Sequence, residues 1–246
     1  MLQPQTAESL RHPIPMQSQN RLLAALPREE YERLRPALET ISVTPKQVLQ
    51  SQGEPVERVF FPVRGTCSLV EVMQDGLTIE VGMIGCEGMT GVAVLPHHTS
   101  APSETRVQIG DDAMQVMGID AFRAEMDRRG KFSDLVHRYG HAFLRLVMHS
   151  CACNGLHGVD ERCCRWLLMV HDRIGRDELP ITQDALASAL GVRRPTITLT
   201  VNGLRRAGLI DHGHRKITIR NREGLEAVAC ECYQAVRTHF DRLLVT

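Results

Sequence analysis

The sequence lacks several patterns on which common protein functions depend. It contains no run of about 18 apolar residues, so we expect no membrane-spanning helix. The GxSxG, Walker and HExxH motifs are also missing, so hydrolytic or nucleotide-driven catalysis has no motif to support it. The first residues show no basic-then-apolar signal pattern. Together these absences favour a cytoplasmic protein that is not an enzyme.

The chain also lacks a net charge, because 29 Lys and Arg residues balance 29 Asp and Glu residues. The total charge therefore neither favours nor excludes a nucleic-acid partner. The distribution of charge is more informative. The segment 176–222 contains nine basic residues against four acidic ones, a local excess of positive charge.

Within this basic segment, residues 182–206 have the pattern of two short helices joined by a tight turn. Thr182 can cap the first helix, along which apolar residues recur at helical spacing. Gly191 permits the positive φ that ends a helix, and Pro195 suits the first turn of the next one. A second helix that opens beside two arginines and exposes small polar side chains suits the major groove of DNA.

The flanking residues extend this pattern. Residues 209–219 predict a strand, a turn at His212-Gly213-His214 and a second strand, which is the wing of a winged helix. Residues 159–174 predict a preceding helix, and 224–244 a terminal helix.

The first half of the chain has a different organisation. Residues 1–19 are polar and Pro-rich, as in a flexible tail, and 20–38 predict a helix. Residues 41–117 show short alternating apolar runs separated by Gly, Pro and Asp turns, including Gly110-Asp111-Asp112. This spacing predicts an antiparallel barrel or jelly roll, followed by a short helix that Asp120 caps.

Residues 131–156 predict one long helix with a heptad seam, whose positions recur alternately three and four residues apart. The seam comprises Leu135, Tyr139, Ala142, Leu146, His149 and Cys153, between Phe132 and Leu156. Such a seam either pairs two copies of the chain or packs on the chain's own barrel. We favour self-association, because the helix is long and several seam residues are small or polar.

Eight cysteines raise the question of a metal site. Cys151 and Cys153 point about 200° apart on a helix, so they cannot share one ion. Cys163 and Cys164 are adjacent, and we expect buried free thiols rather than a zinc site. His97-His98 lies in a predicted loop and is expected to be solvated. We therefore predict no metal.

The order of helix, β-roll, long helix and winged helix resembles the Crp/Fnr family of bacterial transcription regulators. The residues that carry the resemblance are Thr182, Gly191, Arg194, Thr196, Leu204, the run Gly208-Leu209-Ile210 and the strand 216–219. It implies an α+β fold with four parts. These are a tail at 1–19, a cyclic-nucleotide-binding-like sensor domain at 20–130, a dimerisation helix at 131–158 and a winged helix-turn-helix domain at 159–246.

The resemblance further implies a homodimer that binds a pseudo-palindromic DNA operator and contacts RNA polymerase. Two recognition helices would enter successive major grooves roughly 34 Å apart. Arg194 matches the family's base-reading arginine, which can bind guanine bidentately. The remaining predicted DNA contacts are Thr182, Gln183, Arg193, Thr196, Thr198, His214 and Arg215. Pro195 and Leu199 replace polar residues of the family, so the operator sequence cannot be transferred.

The roll departs from the family's cyclic-nucleotide binders, which carry Gly-Glu in a phosphate cassette and a following Arg. Here Glu87 precedes Gly88, and Arg106 follows Glu104-Thr105. We therefore do not expect a cyclic nucleotide to bind. We expect Arg106 to form a surface salt bridge rather than to contact a phosphate. No cysteine precedes Cys67, which disfavours the family's iron–sulphur sensor. The alternative function is a ligand- or redox-sensing module whose helix-turn-helix contacts a protein.

Overall fold

The computed structural model describes residues 18–76, 78–92, 100–110 and 113–244. The predicted tail, the turn at Asp111-Asp112 and the pair His97-His98 lie outside the described residues, apart from Ser18 and Gln19 at the end of the tail. No helix in the described ranges has the length and apolar character needed to cross a membrane.

The described chain begins with two short helices rather than the single predicted one. Helix α1 (Arg21–Ala24) and helix α2 (Arg28–Leu34) are separated at Pro27, which precedes the second helix as its N-cap. A proline has no backbone N–H and disfavours a helical residue before it, which explains the break. A 3-10 turn (Arg35–Ala37) then leads into the first strand.

Among the described residues, seven antiparallel strands form the predicted β-roll. They are β1 (Leu38–Ile41), β2 (Val48–Gln50), β3 (Arg58–Pro62), β4 (Gly65–Val72), β5 (Thr78–Ile84), β6 (Glu104–Gly110) and β7 (Met114–Gly118). The strands form one sheet of order β1-β7-β3 and a second of order β2-β6-β4-β5. Strand β6 alternates buried and half-buried residues, as the period of two predicts.

Three helices follow the roll. They are α3 (Ile119–Asp127), α4 (Lys131–Leu156) and α5 (Val159–Ile174). The bounds of α4 and α5 match the predicted helices. Asp120 is not the cap of α3, because Gly118 occupies that position and Asp120 lies in the first turn.

The last third of the chain forms the winged helix. Its elements are β8 (Glu178–Leu179), α6 (Gln183–Leu190), α7 (Arg194–Arg206), β9 (Ile210–Gly213) and β10 (Lys216–Ile219). Strand β10 pairs with both β9 and β8. The two-residue β8 was not predicted. The wing turn lies at His214 and Arg215, and Arg215 has a φ of 59°.

The predicted terminal helix is two helices, α8 (Arg222–Val228) and α9 (Cys232–Leu244). Ala229 adopts an extended conformation between them. Helix α9 packs along α4, where the rings of Phe240 and Tyr139 lie 6.3 Å apart. The terminal helix therefore covers the long helix within one chain.

Candidate nucleic-acid interface

The two helices of the helix-turn-helix form as their residues predict. The Thr182 hydroxyl accepts a hydrogen bond from the Ala185 N–H at 3.1 Å, which caps α6. Gly191 ends the helix in the left-handed region with a φ of 63°. The apolar side of α7 is fully buried at Ile197 and Val201. Helix α7 begins one residue before the predicted Pro195.

The turn of this motif rests on the chain's own β-roll. A Cβ atom built on Gly191 would lie 2.7 Å from the Cδ1 atom of Ile79 in β5. The hydroxyls of Thr78 and Ser188 lie 3.3 Å apart beside it. Glycine is therefore needed at the turn both for its positive φ and for this close approach.

A groove of about 280 Å³ lies between the start of α6, the start of α7 and the wing. Five of the eight predicted DNA contacts line it, namely Thr182, Gln183, Arg194, His214 and Arg215. The other three, Arg193, Thr196 and Thr198, belong to the cap and first turns of α7. The fold thus gathers residues from two separate sequence segments at one edge of the domain.

Two of these side chains already have partners within the motif. The Arg194 Nε atom lies 3.3 Å from the Asp184 carboxylate, and both side chains are about two-thirds exposed. The Thr198 hydroxyl donates to Gln183 Oε1 at 2.8 Å and so joins α7 to α6. An exposed ion pair is worth only about 0–1 kcal/mol, so Arg194 can exchange Asp184 for another acceptor at little cost.

The local excess of positive charge is partly neutralised by ion pairs. Four of the basic residues pair with carboxylates: Arg194 with Asp184, Lys216 with Glu178, Arg220 with Asp211, and Arg222 with Asp172. Arg193, Arg205, Arg206 and Arg215 have no ion pair among the residues that the structure describes, and all four are exposed. These four guanidinium groups remain available to an anionic partner.

The roll contains an apolar cavity of about 280 Å³ against helix α4. Its walls include Leu69 and Ile84 from the roll and Phe143 and Val147 from the helix, with Arg58 at its edge. The size and the lining of this cavity suit a small ligand of largely apolar character.

Glu87, Gly88 and Arg106 do not line this cavity, whereas Thr90, Gly91 and Val92 of the altered phosphate cassette and Thr105 beside Arg106 do. Glu87 is buried and accepts hydrogen bonds from Arg173 of α5, with Nε at 2.9 Å and Nη2 at 2.7 Å. Arg106 donates from Nε to Glu104 at 2.8 Å, the salt bridge that its sequence context suggested. The Tyr139 ring packs directly on the backbone of Gly88, because a Cβ atom built on Gly88 would lie 2.0 Å from that ring. Arg173 and Arg106 are thus both paired with carboxylates of the roll rather than free to bind a cyclic phosphate.

A second carboxylate joins the roll to α5. Glu80 of β5 accepts a hydrogen bond from the Trp166 indole at 2.9 Å and another from the Ser68 hydroxyl. Burial raises the pKa of Glu80 to about 7, although these hydrogen bonds and the charges of Arg165 and Arg173 oppose the shift. The contact between the two domains therefore contains a titratable group.

Most residues of the predicted dimer seam are covered by the chain itself. Leu135, Tyr139, Ala142, Leu146 and Cys153 are all buried within a single chain, while His149 is half-buried. Phe143 and Leu146 approach Gly82 of β5, and Tyr139 packs on Phe240 of α9. A heptad spacing shows that one face of a helix is covered, but it does not show whether a second copy covers it.

The opposite face of α4 carries another heptad stripe, which was not among the predicted features. Its positions are His137, His141, Leu144, Met148, Cys151 and Gly155, again alternately four and three residues apart, and all are exposed. The Leu144 and Met148 side chains are 56% and 59% exposed. Exposed large apolar side chains in line mark a surface available to a partner.

All eight cysteines are free thiols, and Cys163 and Cys164 are buried, as expected. The ligand atoms of Cys153, His157, Cys230 and Cys232 lie within 4.8 Å of one another. The spacing of the cysteines in 151–164 did not predict this group. Cys230 and Cys232 are distant in sequence, and no local spacing relates them to Cys153.

Comparisons with known proteins support the resemblance stated above. Residues 161–228 match the family model of the Crp-like helix-turn-helix domain. The match begins near the start of α5 and ends with α8, so it includes the groove and the wing. No curated protein sequence matches the chain.

Solved structures match over most of the chain. FixK2 from Bradyrhizobium japonicum superposes with a TM-score of 0.68 at 17% identity, covering 78% of this chain and 98% of its own. TTHB099, a CRP-family transcriptional regulator from Thermus thermophilus, gives 0.62 at 18% identity, covering 76% and 95%. The c-di-GMP-responsive regulator CLP from Xanthomonas campestris gives 0.60 at 13% identity, covering 78% and 98%.

These comparisons confirm the predicted fold class of a β-roll followed by a helix-turn-helix domain. The chain has the fold of Crp/Fnr regulators and carries a Crp-like helix-turn-helix domain.

Proposed function

We propose that this chain is a sequence-specific DNA-binding transcription regulator that acts as a homodimer. The observation that carries the proposal is the groove of the Crp-like helix-turn-helix, where predicted DNA contacts from α6, α7 and the wing converge. We assign 20–130 to the sensor domain, 131–158 to the dimerisation helix and 159–246 to the DNA-binding domain. DNA binding would place the protein in the cytoplasm.

The proposed contacts divide into those that position the protein and those that select bases. Thr182, Gln183 and Arg193 lie at the ends of helices and suit phosphates. Arg194 opens α7 and suits a guanine, once it releases Asp184. Leu199 is 73% exposed on α7, and an apolar side chain there suits a thymine methyl group.

We place the dimer interface on the exposed stripe of α4, not on its buried seam. Two copies paired along Leu144 and Met148 would cover side chains that one chain leaves exposed. A parallel pair of α4 helices would also relate two recognition helices by a two-fold axis, as a pseudo-palindromic operator requires.

The apolar cavity in the roll is the proposed effector site. Its lining favours a largely apolar small molecule over a cyclic nucleotide, because Glu87 and Arg106 are both engaged elsewhere. Contact with RNA polymerase is proposed from the family resemblance alone.

The test is an unbiased selection of DNA from a random pool, with the wild-type chain and with Arg194→Ala. We expect the wild type to enrich a pseudo-palindrome and its affinity to fall steeply with salt, as phosphate counterions are released. Arg194→Ala should cost on the order of 1–3 kcal/mol and relax one position in each half-site. Asp184→Asn is the matched control, since it frees Arg194 and should preserve the selected sequence.

Two results would contradict these proposals. No enrichment at low salt, with or without added ligands, would favour the alternative of a sensing module that contacts a protein. Equal loss of affinity by Arg194→Ala on all sequences would make Arg194 a phosphate contact rather than a base contact.

A further inference from the structure

Three thiols and one imidazole meet where the long helix ends. Cys153 and His157 lie one turn apart at the C-terminal end of α4, and the His157 N–H donates to the Cys153 carbonyl at 3.1 Å. Cys230 lies in the connection between α8 and α9, and Cys232 begins α9 on the other side of Glu231. The fold thus brings two pairs of side chains, about seventy-five residues apart in sequence, to one point.

The separations suit a single tetrahedral metal ion. The Cys153 and Cys230 sulfurs lie 3.4 Å apart, and the Cys232 sulfur lies 3.7 Å from the His157 Nδ1 atom. All four ligand atoms are within 4.8 Å of one another. Zinc–sulfur bonds of about 2.3 Å at tetrahedral angles place two sulfurs about 3.8 Å apart. Rotation of the side chains would therefore suffice to close the site.

The surroundings of the cluster also fit a metal. The His157 Nε2 atom lies 3.2 Å from the Glu231 carboxylate, so the other nitrogen, Nδ1, faces the thiols. A ligating histidine commonly donates its second N–H to a carboxylate in this way. Arg162 and Arg165 interact electrostatically with Cys153 and Cys230. Both guanidinium groups are buried and each has an Nε atom without a hydrogen-bond partner in the described structure.

The three thiols do not belong to the main hydrophobic core. Cys153, Cys230 and Cys232 form a small buried cluster of their own, whereas Cys163 and Cys164 pack in the large core. Free thiols that merely fill space are expected among apolar neighbours. Here they face one another and an imidazole.

We propose that Cys153, His157, Cys230 and Cys232 bind one Zn²⁺ ion. Binding would release three thiol protons and form three zinc–thiolate bonds and one bond to the His157 Nδ1 atom. The three thiolates leave the centre with one net negative charge, which the buried Arg162 and Arg165 compensate. Four protein ligands fill the tetrahedron, so the site is structural and leaves no position for substrate.

The ion would join two parts of the chain at a functional junction. His157 ends α4 and Gly158 begins the turn into α5, the first helix of the DNA-binding domain. The zinc ion would tie this junction to the connection between α8 and α9. It would thereby fix the angle at which the DNA-binding domain leaves the dimerisation helix.

The first experiment measures the metal content of the full chain, purified with reductant and with zinc in the medium. We expect one zinc per chain in the wild type and less than a tenth of that in Cys153→Ser and Cys230→Ser. Cys151→Ser is the matched control, because Cys151 lies two residues from Cys153 but is exposed on the opposite side of α4. Loss of zinc from Cys151→Ser equal to that from Cys153→Ser would overturn the assignment.

The second experiment remains informative if the cysteine variants fail to fold. Cobalt added to the zinc-free wild type should give the intense visible bands of a tetrahedral ion and the near-ultraviolet absorption of three thiolate bonds. Glu231→Gln should keep the bands and weaken cobalt affinity about 10–100-fold, because it removes the partner of His157. Octahedral cobalt bands, or mass-spectrometric detection of a Cys153–Cys230 disulfide in the reduced preparation with no bound metal, would overturn the proposal.

Discussion

The buried ion pair between Glu87 and Arg173 gives the sharpest test of how the roll holds the DNA-binding domain. The two side chains are 4% and 8% exposed, and Arg173 donates to Glu87 from both Nε and Nη2. The Gly85 N–H donates to the same carboxylate oxygen at 3.3 Å. Because Glu87 follows β5 and Arg173 belongs to α5, the pair links the two domains.

Removing one member of this pair should be far more damaging than removing both. Arg173→Met leaves the Glu87 carboxylate buried without its counterion, and we expect the free energy of unfolding to fall by about 3–5 kcal/mol. Adding Glu87→Gln removes the unpaired charge, so the double variant should recover most of that loss. The recovery would appear as a coupling energy in the double-mutant cycle.

The measurement is equilibrium unfolding by urea under reducing conditions at a fixed protein concentration, since dimerisation shifts the apparent stability. The control is Asp211→Asn, which breaks the exposed pair between Asp211 and Arg220, whose charged atoms lie a comparable 2.8 Å apart. That variant should cost only about 0–1 kcal/mol. If Arg173→Met costs no more than Asp211→Asn, or if the double variant is as unstable as the sum of the singles, the pair does not hold the domains together.

Three further predictions test the domain contact, the dimer and the helix cap. Because the folded chain retains the Glu80 proton up to a pKa of about 7 and the unfolded chain loses it near 4.5, the melting temperature should fall between these pH values as the pH rises. In calorimetry, Glu80→Gln should remove this dependence of the melting temperature on pH. An unchanged dependence in the variant would refute the role of Glu80. Leu144→Glu should shift light scattering towards the monomer, whereas Leu199→Glu on α7 should not. Thr182→Ala should destabilise the chain by about 1 kcal/mol in urea unfolding, because the Ala185 N–H loses its cap.

The parts of the fold that the sequence predicted are those that local rules determine. Helices α4 and α5 have the expected bounds, because each shows sustained helical spacing between glycine-containing turns. The helix-turn-helix could also be predicted, since Thr182 and Gly191 act as caps through hydrogen bonds within a few residues. Local hydrogen bonding and backbone conformation suffice in these places.

The intrachain cover of the predicted dimer seam could not be read from the sequence, because the identity of a covering partner is not local information. Tyr139 and Leu146 have the spacing of a coiled coil, but their partners are Phe240 of α9 and Gly82 of β5. The packing of α9 on α4 depends on the break between α8 and α9, which was not predicted. Neither glycine nor proline marks that break at Ala229, so one continuous helix was predicted. The Cys3His group could not be predicted for the same reason, since Cys230 lies in that break and Cys232 begins α9.

Strand β5 is the element that connects the proposed effector site with the proposed DNA-binding domain. Ile84 lines the apolar cavity, Glu80 accepts from Trp166 of α5, and Ile79 contacts the turn at Gly191. A ligand that displaces Ile84 therefore acts on the same strand that supports the helix-turn-helix. Any such coupling must be reciprocal, because linkage changes both affinities by one factor. Binding of operator DNA should consequently change the affinity of the roll for its ligand by the same factor by which that ligand changes the affinity for DNA.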